Sequence, residues 1–309
     1  MKPTIQKLNQ FATVVALLLT QAAFSPSAAA QSTNQKLQEG KLGIRKVEAN
    51  ASVAKAAASA GKADSLGRVV EALDAQLIAA FNDTGKYEVV AWSDLKDVIQ
   101  TQEVNATFGG QGFQYAGCRY SVMVKIDDFQ DFERVTQIQA LGKTYSQRQV
   151  RVSAVVIIYD NTDGSVLRTT TVSATSELVP EQVDYNGDGP RTTDALLQAV
   201  AKEISRRTVW QVSDVIFPMR VVAREDDLLT LNRGQAFMLA PGMEFEVFSA
   251  GQEMIDPDTG RSLGRREQRI GKARIERVDP QTSTAKILDG GSVAPGGIER
   301  GSVLRLPQQ

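Results

Sequence analysis

The stretch "VDYNGDGPRTTDALLQA" at 183–199 places Asp184, Asn186 and Asp188 at alternate positions, with Gly189 directly after them. A calcium loop of the EF-hand kind needs oxygen ligands at its first, third and fifth positions and glycine at its sixth, so the segment meets the opening of that pattern. It fails at the close. The twelfth position, which should be a bidentate glutamate, is Ala195. Asp194 lies one place short, and the end of a strand rather than an apolar helix comes before the loop. Asn186-Gly187 and Asp188-Gly189 are turn formers, and Thr192 or Thr193 can cap the helix that follows, with Asp194 in its first turn. The expected role of these residues is to turn the chain; a weak calcium site of extracellular type is the alternative they leave open.

Asp127, Asp128 and Asp131 beside Glu133 are the clustered carboxylates from which a hydrolase would have to work, and a solvated strand end is the expected role. The sequence contains no histidine. That removes the commonest general base, the commonest zinc ligand and every Ser-His or Cys-His nucleophile pair. Cys118 is the single cysteine and adjoins the apolar run "RYSVMVKI", so it reads as a small buried residue that makes no internal disulfide. "FGGQGF" at 108–113 lacks the Lys-Ser/Thr of a phosphate loop and the dinucleotide fingerprint, which leaves a surface loop. No catalytic, cofactor-binding or metal residues are assigned, no cofactor is expected, and the chain is read as a non-enzyme.

The N-terminus addresses location. Lys2 and Lys7 open the chain, "FATVVALLL" from Phe11 to Leu19 is apolar but too short to span a membrane, and Ala28-Ala29-Ala30 offers a small-residue cleavage site. Residues 1–30 therefore read as a secretory signal, with no cysteine at the cleavage site to carry lipid. The chain carries 35 basic and 36 acidic residues, a formal net charge of −1 that becomes −3 without Lys2 and Lys7. Such a balance gives no electrostatic reason to expect nucleic acid or anionic lipid as the main partner.

The elements that must position these residues divide in two. After a linker at 31–40, "KLGIRKVE" at 41–48 reads as a strand, and an Ala-, Ser- and Gly-rich loop follows. Leu66, Val69, Val70, Leu73, Leu77 and Phe81 recur at helical spacing up to Gly85, a left-handed stop. "KYEVVAW" is a strand, Ser93 caps a short helix running to Glu103, and "RYSVMVKIDDF" and "QVRVSAVVIIYD" are further strands. "NTDG" turns the last of these back into "SVLRTTTVSATSE", and a helix carrying Leu196, Leu197, Val200, Ile204 and Val209 closes the unit. From Pro218 onward the texture becomes short strands and Gly turns: "MRVVARE", "LLTLN", "GMEFEVFSA", "QRIGKARIERV", "TSTAKIL" and "SVLRL". The expected class is α+β. A mixed α/β sandwich of three to four helices on a mixed sheet spans 41–213, and a small all-β barrel-like domain spans 214–309.

"LIAAFNDTGKYEVVAWSDLKDVIQTQEV", a helix ending in a Thr-Gly turn and then a Val-Val strand, resembles the first block of the curli secretion and holdfast assembly family, the CsgG/HfaB group. "RYSVMVKIDDF" and "VRVSAVVIIYDNTDGSVLRTTTVSA" resemble its next two blocks. The stretch from "PGMEFEVFSA" to "TSTAKIL" is similar to the β-rich C-terminal domain of periplasmic flagellar assembly factors. The resemblance covers about 41–210 and implies envelope assembly work without catalytic residues. Protein partners in the periplasm or outer membrane are expected, with a homo-oligomer left open, and neither nucleic acid nor a small-molecule substrate is expected. The family's secretion channel is anchored by a lipidated cysteine and inserts two long hairpins. Here Phe129, Phe132, Val135, Ile138 and Leu141 recur every third position, and the second insertion point, 176–190, is short and acidic. Neither gives the strict alternation of a membrane strand, so no pore is expected. The long loops 104–117 and 251–268 are the expected binding surfaces.

Overall fold

The computed structural model describes residues 38–91, 116–138, 143–176, 193–258, 260, 262–289 and 297–307. Several expectations lie outside them: the signal at 1–30, the helix from Ser93 to Glu103, the loop "FGGQGF", the calcium-like segment with Asp184, Asn186, Asp188 and Gly189, and most of 176–190.

The fold is mixed α and β, with more strand than helix and two six-stranded sheets. In the first sheet β1 (Gln38–Ile44) lies between β3 (Glu88–Ala91) and β4 (Cys118–Ile138), parallel to both. β5 (Lys143–Asp160) and β6 (Ser165–Thr175) continue it as an antiparallel meander, and the two-residue β2 (Glu48–Ala49) adds to β4. Val122, Val124 and Ile126 on β4 and Val152, Val156 and Ile158 on β5 are fully buried. They share one apolar core with Leu66, Val69, Leu73, Leu77 and Phe81 of α2 (Ala63–Asp83) and with Leu197, Val200, Ile204, Val209 and Val212 of α3 (Thr193–Ile216). Each set recurs at the period of its own element, two along a strand and three or four along a helix.

In the second sheet the order is β12-β9-β10-β11-β8-β7: β7 Val221–Glu225, β8 Leu228–Leu231, β9 Glu244–Ile255, β10 Ser262–Val278, β11 Ser283–Asp289 and β12 Val303–Arg305. Its two edges meet. Val221 donates its amide to Ser302 O at 2.9 Å, Leu304 donates to Met219 O at 2.9 Å, and Arg220 bridges Val303. These contacts bring the edges together at Met219–Val221 and Ser302–Leu304, and Phe237, Phe245, Val247, Ile275 and Leu304 are buried in this part of the chain. Residues 35–309 form one compact unit, and α3 runs past the boundary drawn at residue 213 to Ile216.

Three expectations are corrected. The Ala-rich loop after β2 is a helix, α1 (Ala51–Ser59), because alanine is the best helix former and Val53 and Ala57 fall one turn apart on a buried face. The second correction concerns the region between Phe129 and Val150, where the three-residue spacing spoke against a hairpin. There β4 and β5 pair continuously as far as Ile138↔Lys143. Beyond Arg151, where β6 ends its pairing with β5, the two strands continue as a two-stranded ribbon. The third is the expected loop 251–268, which is the outer half of another two-stranded ribbon. It pairs from Ser249↔Gln268 to Ile255↔Ser262, with two register shifts within it. Gly251 lies against the carbonyl of Arg266, where a Cβ would collide with backbone, so the crossing there requires glycine.

Candidate functional site

The carboxylates of β4 do not converge. A β-bulge between Ile126 and Asp128 sets Asp127 apart, and its Oδ1 is buried without a hydrogen-bond partner. Asp128 accepts a bond from Gln130 Nε2 at 3.1 Å. The Asp131 side chain is fully buried and takes a two-pronged ion pair from Arg148, with Nε to Oδ1 at 2.6 Å and Nη2 to Oδ2. Lys62, before α2, stands 3.7 Å from the same carboxylate, and Arg148 also donates to Ser65 Oγ at 3.2 Å. Burial alone would raise the Asp131 pKa, but hydrogen bonds from Arg148 and Ser65 and the charges of Arg148 and Lys62 outweigh it and hold the carboxyl below its ordinary range. A carboxylate held this way ties the ribbon's base to α2 and is a poor base, because its charge is spent on Arg148 and Lys62. The side chain of Glu133 lies outside the described residues.

Cys118 is completely buried at the start of β4, and burial pushes its thiol up to about 11. The thiolate is the nucleophile, so this thiol is inert at neutral pH. Iodoacetamide is expected to leave the native protein unmodified at pH 7.5 and to alkylate Cys118 fully in urea, as read by intact mass; fast labelling of the native form would refute the burial. Among the described residues no group of three His, Cys, Asp or Glu side chains is placed to hold a metal ion.

The junction between the sheets holds a residue that sequence reading passed over. Arg233, just after β8, is fully buried, with its guanidinium 4.7 Å from the Trp210 ring of α3 and 4.9 Å from the Phe237 ring. Nη2 donates to Phe217 O at 3.3 Å and lies 3.9 Å from Asp214, while Nε and Nη1 have no partner among the described residues. Burial lowers its pKa to about 10 against the pull of Asp214 and Tyr87. Tyr87, whose pKa burial raises to about 12, donates to Ser213 Oγ at 2.9 Å. The motif "LNRGQAF" carries no signal that its arginine is internal.

Of the two expected binding surfaces, 104–115 lies outside the described residues. The other is the β9–β10 ribbon, and it exposes a pair of large apolar side chains, Met254 at 42% and Ile255 at 54%. Glu253, Arg265, Arg266 and Glu267 around them are exposed as well, so the ribbon offers an apolar centre with a charged rim, the usual anatomy of a protein contact.

No model of a known protein family matches the chain. An uncharacterized protein of Aquifex aeolicus (strain VF5) is 36% identical over 78 residues, which make up 25% of this chain, and the match spans only 15% of that protein's length. Among solved structures, the hypothetical protein CT253 of Chlamydia trachomatis is similar at a TM-score of 0.33 and 14% identity, over 58% of this chain and 99% of that one. A minor lipoprotein of Acinetobacter baumannii is similar at 0.28 and 12%, over 57% and 92%. Lipoprotein GNA1162 of Neisseria meningitidis is similar at 0.25 and 13%, over 54% and 98%. Scores this low carry neither fold nor function across. No helix among the described residues is long and apolar enough to cross a membrane.

Proposed function

We propose that this chain is a non-enzymatic envelope-assembly or adaptor protein of the periplasm that binds protein partners through the outer part of the β9–β10 ribbon. The observation that carries the reading is the exposed pair Met254 and Ile255 at the end of a two-stranded ribbon that stands clear of the barrel core. The secretory pattern of residues 1–30 and the resemblance to the curli secretion and holdfast assembly family support the location. Exposed apolar side chains on a ribbon cost solvation in the free protein and recover it when a partner covers them.

The test is a photo-crosslinking amino acid at position 255, compared in cells with one at Glu276 on the barrel wall. The first is expected to trap a discrete envelope protein, and Met254→Asp is expected to reduce that adduct by roughly tenfold, the scale of a single central contact. Identical adducts from both positions, or none from 255, would contradict the assignment.

A second reading, an oligomeric outer-membrane secretion component of the curli-channel type, gains one observation: the β4–β5 ribbon lies where such a component inserts a hairpin. Its strands nevertheless carry Glu133, Arg134 and Lys143 beyond the buried Asp131–Arg148 pair. Facing lipid, each Lys or Arg at the bilayer centre would cost about 2–4 kcal/mol, so the adaptor is preferred.

A further inference from the structure

Between α2, α3 and the turns of the barrel lies a cavity of about 410 Å³, within the size range of ligand sites. Its charged lining is Asp83 at the end of α2 and Lys202 and Arg206, one turn apart on α3. Its polar lining is completed by the side-chain amides of Gln76, Gln235 and Gln281, and alanines fill much of the remainder. Neighbouring Arg207 is committed, with Nε to Glu203 at 2.7 Å and Nη1 to Ser173 O at 2.7 Å. Arg206 is not. Its half-buried guanidinium and the three glutamine amides have no hydrogen-bond or ion partner among the described residues.

This unspent hydrogen-bonding capacity has a definite chemistry. Lys202 already has an interaction of its own and is matched in formal charge by Asp83, so the excess positive charge of the wall is that of Arg206, which fits a monoanion better than a dianion. A guanidinium fork matches a planar carboxylate with two parallel bonds. Each glutamine amide offers a donor and an acceptor, the same pair that a peptide group presents. The small alanine side chains leave room for main chain rather than for large side chains.

We infer that the cavity binds the C-terminal end of a polypeptide, with its terminal carboxylate on Arg206 and Lys202 and its last peptide groups on Gln76, Gln235 and Gln281. The inference shares with the proposed function only the premise that the ligand is a protein, and it concerns a surface separate from the ribbon.

The test titrates the purified full chain, followed by NMR of arginine Nε–H and glutamine side-chain amide signals, with three probes. These are N-acetyl-Ala-Ala-Ala with a free carboxylate, the same peptide as its C-terminal amide, and inorganic phosphate. The acid is expected to shift the Arg206 and glutamine signals and to bind roughly tenfold or more tightly than the amide, the scale of a charge-assisted bond pair. Arg206→Gln is expected to abolish that preference. Lys202→Gln, at an exposed helix position, is expected to weaken it and supplies the answer should the arginine variant fail to fold. Equal binding of acid and amide, phosphate binding as tight as the acid, or no binding of the acid would overturn the inference. Because the titration uses defined peptides, its failure leaves the crosslink at position 255 unaffected, and the reverse holds too.

Discussion

Replacing Asp131 by alanine is expected to cost about 3–5 kcal/mol of folding stability, because it removes the fully shielded carboxylate that Arg148 grips with two bonds and that Lys62 faces. An exposed pair in the same geometry would contribute about 1 kcal/mol or less. Burial decides between these values, since the Asp131 side chain is fully shielded and that of Arg148 is 19% exposed. The pair also sets a pH dependence. The carboxyl is held below its ordinary value, so its contribution is present above the unfolded pKa of about 3.9 and is lost as pH falls through the lower folded value. Urea unfolding between pH 7 and pH 2.5 checks both points: Asp131→Asn is expected to be less stable at neutral pH and to show a flatter acid limb. A loss near 1 kcal/mol with an unchanged limb would mean that the pair is solvated.

Phe81→Ala is expected to cost about 3–5 kcal/mol, the range for truncating a fully buried aromatic ring. The loss reaches beyond α2. Phe81 packs edge-on against Tyr87 with centroids 5.3 Å apart, Tyr87 leans on Phe217 at 5.5 Å, and its hydroxyl reaches Ser213 of α3. The cavity left by Phe81 therefore frees the ring that links the first sheet to the linker entering the barrel. Denaturant unfolding is expected to show a lowered midpoint. A loss below about 1.5 kcal/mol would mean that the surroundings collapse into the space.

What the sequence disclosed follows from where the solvent boundary lies. α2 displays its stripe because one face meets a core and the other meets water; only Val70 of the expected set is half-buried rather than buried. Four of the six strands of the second sheet, β7, β8, β11 and β12, fall within two residues of their expected places, since turn residues such as Asp226, with φ of 48°, punctuate them, whereas β9 and β10 extend into the stretch expected as a loop. The ribbons were hidden because their patterns depart from a period of two: Phe129, Phe132, Val135 and Ile138 recur every third position although Phe129 packs on the core, and the polar stretch Gly251–Gln268 resembled a loop. Arg233 and the cavity were illegible because both arise where α3 meets the barrel, from residues far apart in the chain. Nothing local distinguishes Arg206, which lines the cavity, from Arg207, which pairs with Glu203.

The central claim, a protein of the periplasm rather than of the membrane, is tested most directly by fractionating native cells into periplasm, salt-washed membrane and detergent extract, each probed for the chain. The account predicts release with the soluble periplasm, as a species shorter than the full chain by about the length of residues 1–30. Retention in the membrane until detergent is added would contradict it and would place the β4–β5 ribbon in the bilayer.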